Sequence, residues 1–375
     1  FFLLAALLTL GSAFVAAATA QEKLGKANFP ISCSPAVQQE FNRGVALLHS
    51  FSFDGAAKAF VAIVEKDPAC AMAHWGIAMN LRGPVGNPFA GAPSPQALKD
   101  GWAAIGRAKA VGAKSQRERD YIAAMEVFYK DSDTVDHRTR LVAYEKAIEQ
   151  LTQRYPEDRE AAVFYALALN VTALPTDKTF AQQLKAAAIL EKVFAEQPEH
   201  PGVAHFLIHS YDYPPIAHRG LDAARRYAGI APSAPHAQHM PSHIFTRRGL
   251  WQESIASNRA SAAAATEHLN QLHAMDYLAY AYLQGAQDRE AKRVWEDVIA
   301  IGKIKIEHFV SAYALAAIQS RYALEQGRWA EAAALTLHPA EFPWSRFPQS
   351  EAVLVFVRAL GAARSGDVAA ARRDL

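Results

Sequence analysis

Apolar and alanine-rich stretches of helical length follow one another along this chain, and prolines, glycines and short polar segments separate them. Strand patterns are nearly absent, so the sequence predicts an all-α fold of antiparallel helix pairs from residue 35 to residue 375. A ninth pair begins near residue 349, and because its second helix reaches Leu375 without a polar cap, we expect the array to continue beyond that residue. The eight pairs before it are 35–49 with 53–66, 70–81 with 96–111, 115–130 with 137–153, 157–173 with 179–195, 200–212 with 217–229, 235–248 with 251–265, 268–285 with 288–301, and 306–326 with 328–337.

Four residues of the first pair indicate how two such helices fit together. Gly44, Ala56, Phe60 and Pro68 stand at offsets 0, 12, 16 and 24. The small residues allow the two helices to approach closely and the aromatic ring fills the gap between them. Pro68 ends the second helix because it has no N–H to donate. This spacing resembles the tetratricopeptide repeat, and the resemblance implies a superhelical solenoid with a concave groove that binds ligands.

The 34-residue period recurs further along the chain, since Pro198 and Pro232 are 34 residues apart and each closes a helical stretch. Residues 200–258 resemble a block shared by a group of exported bacterial tetratricopeptide-repeat proteins and some eukaryotic relatives. Its distinctive motif is His-Met-Pro-Ser-His, which begins here at His239 and ends at His243. The resemblance implies a fold and a family, and it implies no particular reaction.

The first twenty residues carry no charge and end in Ala18-Thr19-Ala20, which is typical of a signal peptide with small residues at its cleavage site. A retained membrane anchor is the alternative. We expect cleavage, a short extension over 21–34, and an exported protein in the periplasm or outside the cell. No second stretch of 18 apolar residues follows, so we expect no membrane span in the mature chain.

Export changes the interpretation of the two cysteines. Cys33 and Cys70 are 37 residues apart, about one repeat, so they precede equivalent positions of neighbouring helices. In an oxidising compartment the pair is expected to form a disulfide, with two buried free thiols as the alternative.

Charge and composition narrow the functional classes. Lys and Arg number 39 and Asp and Glu number 37, and this near-balance argues against a surface that wraps nucleic acid. Two cysteines exclude a four-thiolate zinc module. Seven of the fourteen histidines fall within residues 200–243, so histidine chemistry is the strongest functional signal in the sequence.

The histidines follow the 34-residue period. His205, His239 and His273 are successively 34 residues apart, and His209, His243 and Tyr277 form a second series. Residues i and i+4 share one face of a helix, and equivalent residues of adjacent repeats lie side by side. We therefore expect these rings to form one compact patch, which the resemblance places in the groove.

Other residues extend this patch. His236 precedes His239 by three residues, and Asp276 follows His273 by three, so both are further candidates for ligands. Pro241 lies between two histidines, where it either bends the helix or stands in its first turn. The residues expected to line the groove around the histidines are Asp212, Thr246, Arg247, Tyr277 and Tyr280.

Neutral imidazoles bind Zn²⁺ and Cu²⁺ well, so our leading hypothesis is a divalent transition-metal site. We expect four imidazole nitrogens to supply its first ligands, and Asp212 or Asp276 would allow the site to hold two ions. The alternatives are a general base, a metal-free ligand site, or packing alone. The predicted first ligands are His205, His209, His239 and His243.

Three functions remain open from the sequence. The first is a metal-binding exported repeat protein, the second a metal-free scaffold, and the third a metal-dependent hydrolase or oxidoreductase. A peptide, a protein or a small molecule would bind in the groove. The segment 82–95, with four prolines and three glycines, is either a lid over the groove or an exposed connector. His49 is expected to be a cation at the end of its helix.

Overall fold

A computed structural model of the chain describes residues 22–84 and 87–375, and within these ranges it is all-α, without a β-strand. The predicted signal peptide lies outside the described residues. The first ten helices are α1 (Gln38–His49), α2 (Phe53–Lys66), α3 (Ala71–Met79), α4 (Pro95–Val111), α5 (Gln116–Tyr129), α6 (His137–Arg154), α7 (Arg159–Thr172), α8 (Ala181–Glu196), α9 (Pro201–Tyr211) and α10 (Leu221–Ile230).

The remaining helices form the carboxyl-terminal part of the chain and include those that carry His236, His239, His243 and His273. They are α11 (Pro235–His239), α12 (Pro241–Arg247), α13 (Trp251–Ala264), α14 (His268–Gln284), α15 (Asp288–Ile299), α16 (Phe309–Glu325), α17 (Trp329–Ala333), α18 (Pro348–Arg364) and α19 (Val368–Asp374).

Helices that follow one another along the chain pack together, for example α1 on α2, α7 on α8 and α13 on α14. The first helices of successive pairs also pack together, as α7 does on α9 and α14 on α16. Phe60 lies between these neighbouring helices. A Cβ atom added to Gly44 would stand only 2.9 Å from the Phe60 ring. The all-α prediction is therefore confirmed, and small residues permit the close approach of helices.

Two predicted helices differ from the structure. The expected helix 235–248 is divided into α11 and α12, and Pro241 is the first residue of α12, because proline cannot donate an N–H to the turn before it. The expected helix 328–337 ends at Ala333, and Pro339 and Pro343 follow within ten residues. The interpretation of Pro241 as a first-turn residue is thus the correct one.

The amino-terminal segment crosses the molecule. Phe29 is fully buried, and the Lys26 N–H donates to the Glu199 carbonyl oxygen at 2.9 Å. Helix α1 also packs on α9, although pairs in a simple repeat array contact only their neighbours. Cys33 and Cys70, which flank this region, form a disulfide.

The apolar residues form two cores. One runs from Leu24 to Phe245, and the second runs from Ile255 to Val357. The boundary between them falls near the start of α13, so the histidine-bearing helices α9, α11, α12 and α14 lie on both sides of it. Among the described residues no helix is long and apolar enough to cross a membrane.

Candidate metal centre

Six histidines from four helices form two groups of three. The first triad consists of His205 and His209 on α9 with His236 on α11. The second triad consists of His239 at the end of α11, His243 on α12 and His273 on α14. Within each group the candidate ligand nitrogens all lie within 4.8 Å of one another.

The first triad converges on one nitrogen. The Nε2 atom of His205 lies 3.1 Å from Nε2 of His209 and 3.2 Å from Nε2 of His236. The other ring nitrogen of His205, Nδ1, donates to the backbone carbonyl oxygen of His49 at 2.6 Å. In the neutral ring this bond places the proton on Nδ1, so Nε2 presents a lone pair.

Aromatic side chains surround the first triad. The ring of Tyr227 stacks on His205 with centroids 5.2 Å apart, and Phe51 stacks on His236 at 5.3 Å. Phe89 stacks on His209 at 4.4 Å. Phe89 belongs to the segment 82–95, so part of that segment covers the histidines, although Phe89 itself remains 37% exposed.

In the second triad two ring nitrogens face each other. Nε2 of His239 lies 3.0 Å from Nε2 of His243. Nδ1 of His239 donates to the Asn258 side-chain oxygen at 2.7 Å, and Nδ1 of His243 donates to an Asp212 carboxylate oxygen at 2.8 Å. With each Nδ1 carrying a proton, two neutral rings have no proton to place between the two Nε2 atoms.

Polar neighbours hold these orientations. The Asn258 amide donates to the Ser254 carbonyl oxygen at 2.8 Å, which turns its oxygen toward His239. Arg247 Nε donates to Asp212 at 2.9 Å. Burial would raise the pKa of Asp212, but His243 and Arg247 hold it below its usual value, so this carboxylate stays ionised beside its histidine.

Burial keeps five of the six imidazoles neutral. Together with a smaller contribution from neighbouring imidazoles, it lowers the pKa of His209 and of His273 to about 3. Burial also lowers the pKa of three further rings well below the ordinary histidine value. These rings are His205, His236 and His239. Neutral imidazole is the form that binds a metal ion.

The predicted four-nitrogen set is wrong in its grouping. His205 and His209 lie in one triad, while His239 and His243 lie in the other, and the centroids of His209 and His243 are 6.5 Å apart. The i and i+4 rings lie close in both triads, with centroids 4.8 Å apart for His205 and His209 and 4.9 Å apart for His239 and His243. The third ligand is His236, at the start of α11, in the first triad, and His273 of α14, whose ring lies 4.2 Å from that of His239, in the second.

The structure places the other predicted residues around the second triad. Asp276 lines the same cavity as His243 and His273, but its buried carboxylate pairs with Arg321. The hydroxyl of Tyr277 lies 3.4 Å from His243 Nδ1, and that of Thr246 bonds the Ser254 hydroxyl at 3.0 Å. Tyr280 lies against Trp251, with centroids 5.8 Å apart.

A third histidine cluster was missed by the sequence analysis. Glu160 on α7 accepts from His49 Nε2 at 2.8 Å and from His200 Nε2 at 3.0 Å, and all three residues are buried. His49 is therefore no helix-end cation: burial outweighs Glu160 and lowers its pKa. No sequence pattern marks Glu160 or Asn258 as a site residue, because each meets its histidines only through contacts between different helices.

Two cavities reach the histidines. One of about 380 Å³ is lined by His243 and His273 of the second triad together with aromatic residues of α14 and α16. The other, of about 340 Å³, is lined by His236, His273, Phe51 and Phe53 among others. Small molecules can thus approach ligands of both triads.

A scan against protein-family models finds none that matches this chain, and a search of the curated proteins finds no match either. The functional interpretation therefore rests on the geometry of the site.

Proposed function

We propose that this protein binds two divalent transition-metal ions, one in each histidine triad. The observation that carries the proposal is the pair of Nε2 atoms of His239 and His243, 3.0 Å apart. Both rings use Nδ1 to donate to an acceptor, so in two neutral rings the Nε2 lone pairs face each other. A cation between them removes this repulsion, and a divalent metal ion does so while it binds both nitrogens.

The first triad supports the same conclusion in another way. The single lone pair on His205 Nε2 faces both His209 and His236. One lone pair accepts one hydrogen bond well, so a proton network leaves one of these two contacts unsatisfied. A metal ion satisfies all three nitrogens, and tetrahedral coordination at about 2.1 Å requires nitrogens separated by roughly 3.4 Å, close to the distances found.

The donor set indicates which ions suit the sites. Each triad offers three neutral imidazoles, which favour Zn²⁺ and Cu²⁺ over Mg²⁺ or Ca²⁺. Three protein ligands leave a fourth position for water or another molecule. The carboxylate of Asp212 behind His243 makes that imidazole a stronger donor.

We further propose that the chain is a tetratricopeptide-type solenoid exported from the cytoplasm. The packing of successive helix pairs, the contact of Gly44 and Gly76 with Phe60, and the disulfide support this. An experimental structure tests the repeat geometry, and cell fractionation tests the location.

Metal analysis tests the main proposal. The purified chain is loaded with Zn²⁺, freed of excess ion, and analysed for zinc per chain. We expect two ions in the wild type and about one in each of H209A and H243A, since each variant breaks one triad. H218A is the matched control, because His218 is exposed and lies outside both triads. Zinc below half an ion in the wild type, or equal zinc in all four proteins, contradicts the proposal.

A further inference from the structure

We propose that the cavity beside the second triad binds a one-ring aromatic molecule whose acidic oxygen coordinates the ion held there. The inference rests on the proposed metal binding and adds a class of ligand to it. The inference follows from three properties of the cavity: its aromatic walls, the balance of its charges, and the histidines of the second triad that line it.

The walls of the cavity are mainly aromatic. Four rings from α14 and α16 line a volume of about 380 Å³, near the lower end of the range of about 300–1,000 Å³ usual for small-ligand pockets. Aromatic rings pack edge-to-face or offset against another ring, with a gain of about 1 kcal/mol for each pair. The four rings are Tyr277, Tyr280, Phe309 and Tyr313.

Phe309 forms part of the rim. It is 48% exposed, although it stands at the start of a helix whose other apolar residues are largely buried. Its ring lies 5.9 Å from that of Tyr313, so the two make a continuous aromatic surface that leads inward. A ligand ring on this surface would bury apolar area that now faces water.

The charges of the cavity balance before an ion is added. Arg321 pairs with Asp276, and Arg247 pairs with Asp212, so each cation already has its anion. Imidazoles bind a metal ion in their neutral form, so a divalent ion on the second triad leaves an excess of positive charge beside the cavity. A phenolate or carboxylate oxygen in the open position reduces this excess, whereas a neutral or cationic group does not.

The second triad borders the cavity, since His243 and His273 both line it. Tyr313 and Arg321 line it as well, and Arg321 Nη2 donates to the Tyr313 hydroxyl at 3.3 Å, which holds a polar group among the rings. An aromatic acid can thus place its oxygen on the ion while its ring contacts Tyr313.

Calorimetric titration of the zinc-loaded and zinc-free chains with phenol and with benzoate tests the inference. We expect at least one of the two to bind the zinc-loaded chain, and to bind at least tenfold more weakly without zinc. The choice between phenol and benzoate identifies the acidic group. We expect Y313A to weaken binding about tenfold, and Y313F, which keeps the ring, to stay within about threefold of the wild type.

F53A is the matched control, because Phe53 lines the other cavity and not this one. Its affinity should equal that of the wild type. Zinc content is measured for every variant. If all proteins carry two ions but neither compound binds, or if Y313A and the wild type bind alike, the ligand inference is wrong while metal binding stands. If no protein holds zinc, the proposed function itself fails.

Discussion

The chain contains two kinds of buried histidine cluster that differ in where their protons lie. In the cluster of His49, Glu160 and His200, a carboxylate accepts from both imidazoles. His200 Nδ1 in turn accepts from the Val203 N–H at 3.3 Å, so its proton is on Nε2, facing Glu160. In the triads, by contrast, no carboxylate stands at the centre: a single lone pair faces two imidazoles in the first, and two Nε2 atoms face each other in the second.

Proximity of ligating atoms alone therefore does not identify a metal site. All three histidine clusters bring nitrogens or oxygens within 4.8 Å, yet in the one with Glu160 the carboxylate already accepts from both imidazoles. What distinguishes the triads is that protons on Nδ1 are already used by a carbonyl, an amide and a carboxylate. Substitutions in the two kinds of cluster should therefore have separate effects.

A large loss of folding stability should follow from removing the buried carboxylate of Glu160. E160Q places an amide between two N–H donors, and the loss of a buried charged partner typically costs about 3–5 kcal/mol. We expect urea unfolding to show a loss of this size, while zinc content remains two ions per chain. E157Q is the control, because the Glu157 side chain is 89% exposed, and it should leave stability unchanged. Loss of zinc in folded E160Q would place Glu160 in the metal sites.

The same pair of proteins gives a test in acid. Burial would raise the pKa of Glu160, but the two imidazoles outweigh it and depress the pKa well below the usual value of 4.5. A depressed pKa contributes stability that is present above the ordinary value and is lost as pH falls below it. Below about pH 4.5 the advantage of the wild type over E160Q should therefore shrink as the pH falls. An advantage that keeps growing below that pH would contradict this assignment.

Removal of the metal ions should lower the stability of the folded chain only through the two triads. An ion at 1,000 times its dissociation constant stabilises the folded chain by about 4 kcal/mol for each site. We expect a chelator to lower the melting temperature of the wild type clearly and to leave that of the double variant H209A/H243A almost unchanged. Equal shifts in the two proteins would show that the chelator acts elsewhere.

A smaller effect should come from the carboxylate behind the second triad. D212N keeps the shape of the side chain but weakens its support of His243, and such partners are worth about 10–100-fold in metal affinity. Competition with a chelating dye should show one zinc ion bound that much more weakly and the other unchanged. D222N, whose side chain is 73% exposed, serves as the control. Weakening of both ions would show that the triads are not independent.

The smallest expected effect concerns access to the first triad. F89A removes the ring that covers His209, so water and chelators reach that ion more easily. We expect release of one zinc ion to accelerate by a few-fold without loss of stoichiometry. F356A, which removes a 60% exposed ring from α18, should release zinc at the wild-type rate. An unchanged rate in F89A would mean that Phe89 does not limit exchange.

The sequence predicted the helical class and the histidine pairs because both depend on local spacing. Residues i and i+4 share a helix face wherever a helix forms, so His205 with His209 was predictable. The division into two triads was not, because the rotation of each ring depends on packing and on the break at Pro241. Asp276 was misassigned for a similar reason: spacing places it near His273, whereas Arg321, 45 residues later, binds its carboxylate.

The bond from His205 to the carbonyl oxygen of His49 joins residues 156 positions apart. One ligand ring is thus fixed by the carboxyl end of α1, and the most distant ligand comes from α14. During synthesis these parts emerge far apart in time, and His205 reaches its fixed orientation in the first triad only after α1 has docked on α9. Metal uptake at the first triad should then report that α1 and α9 have assembled, and a fragment made of the histidine-bearing helices alone would lack this hydrogen bond.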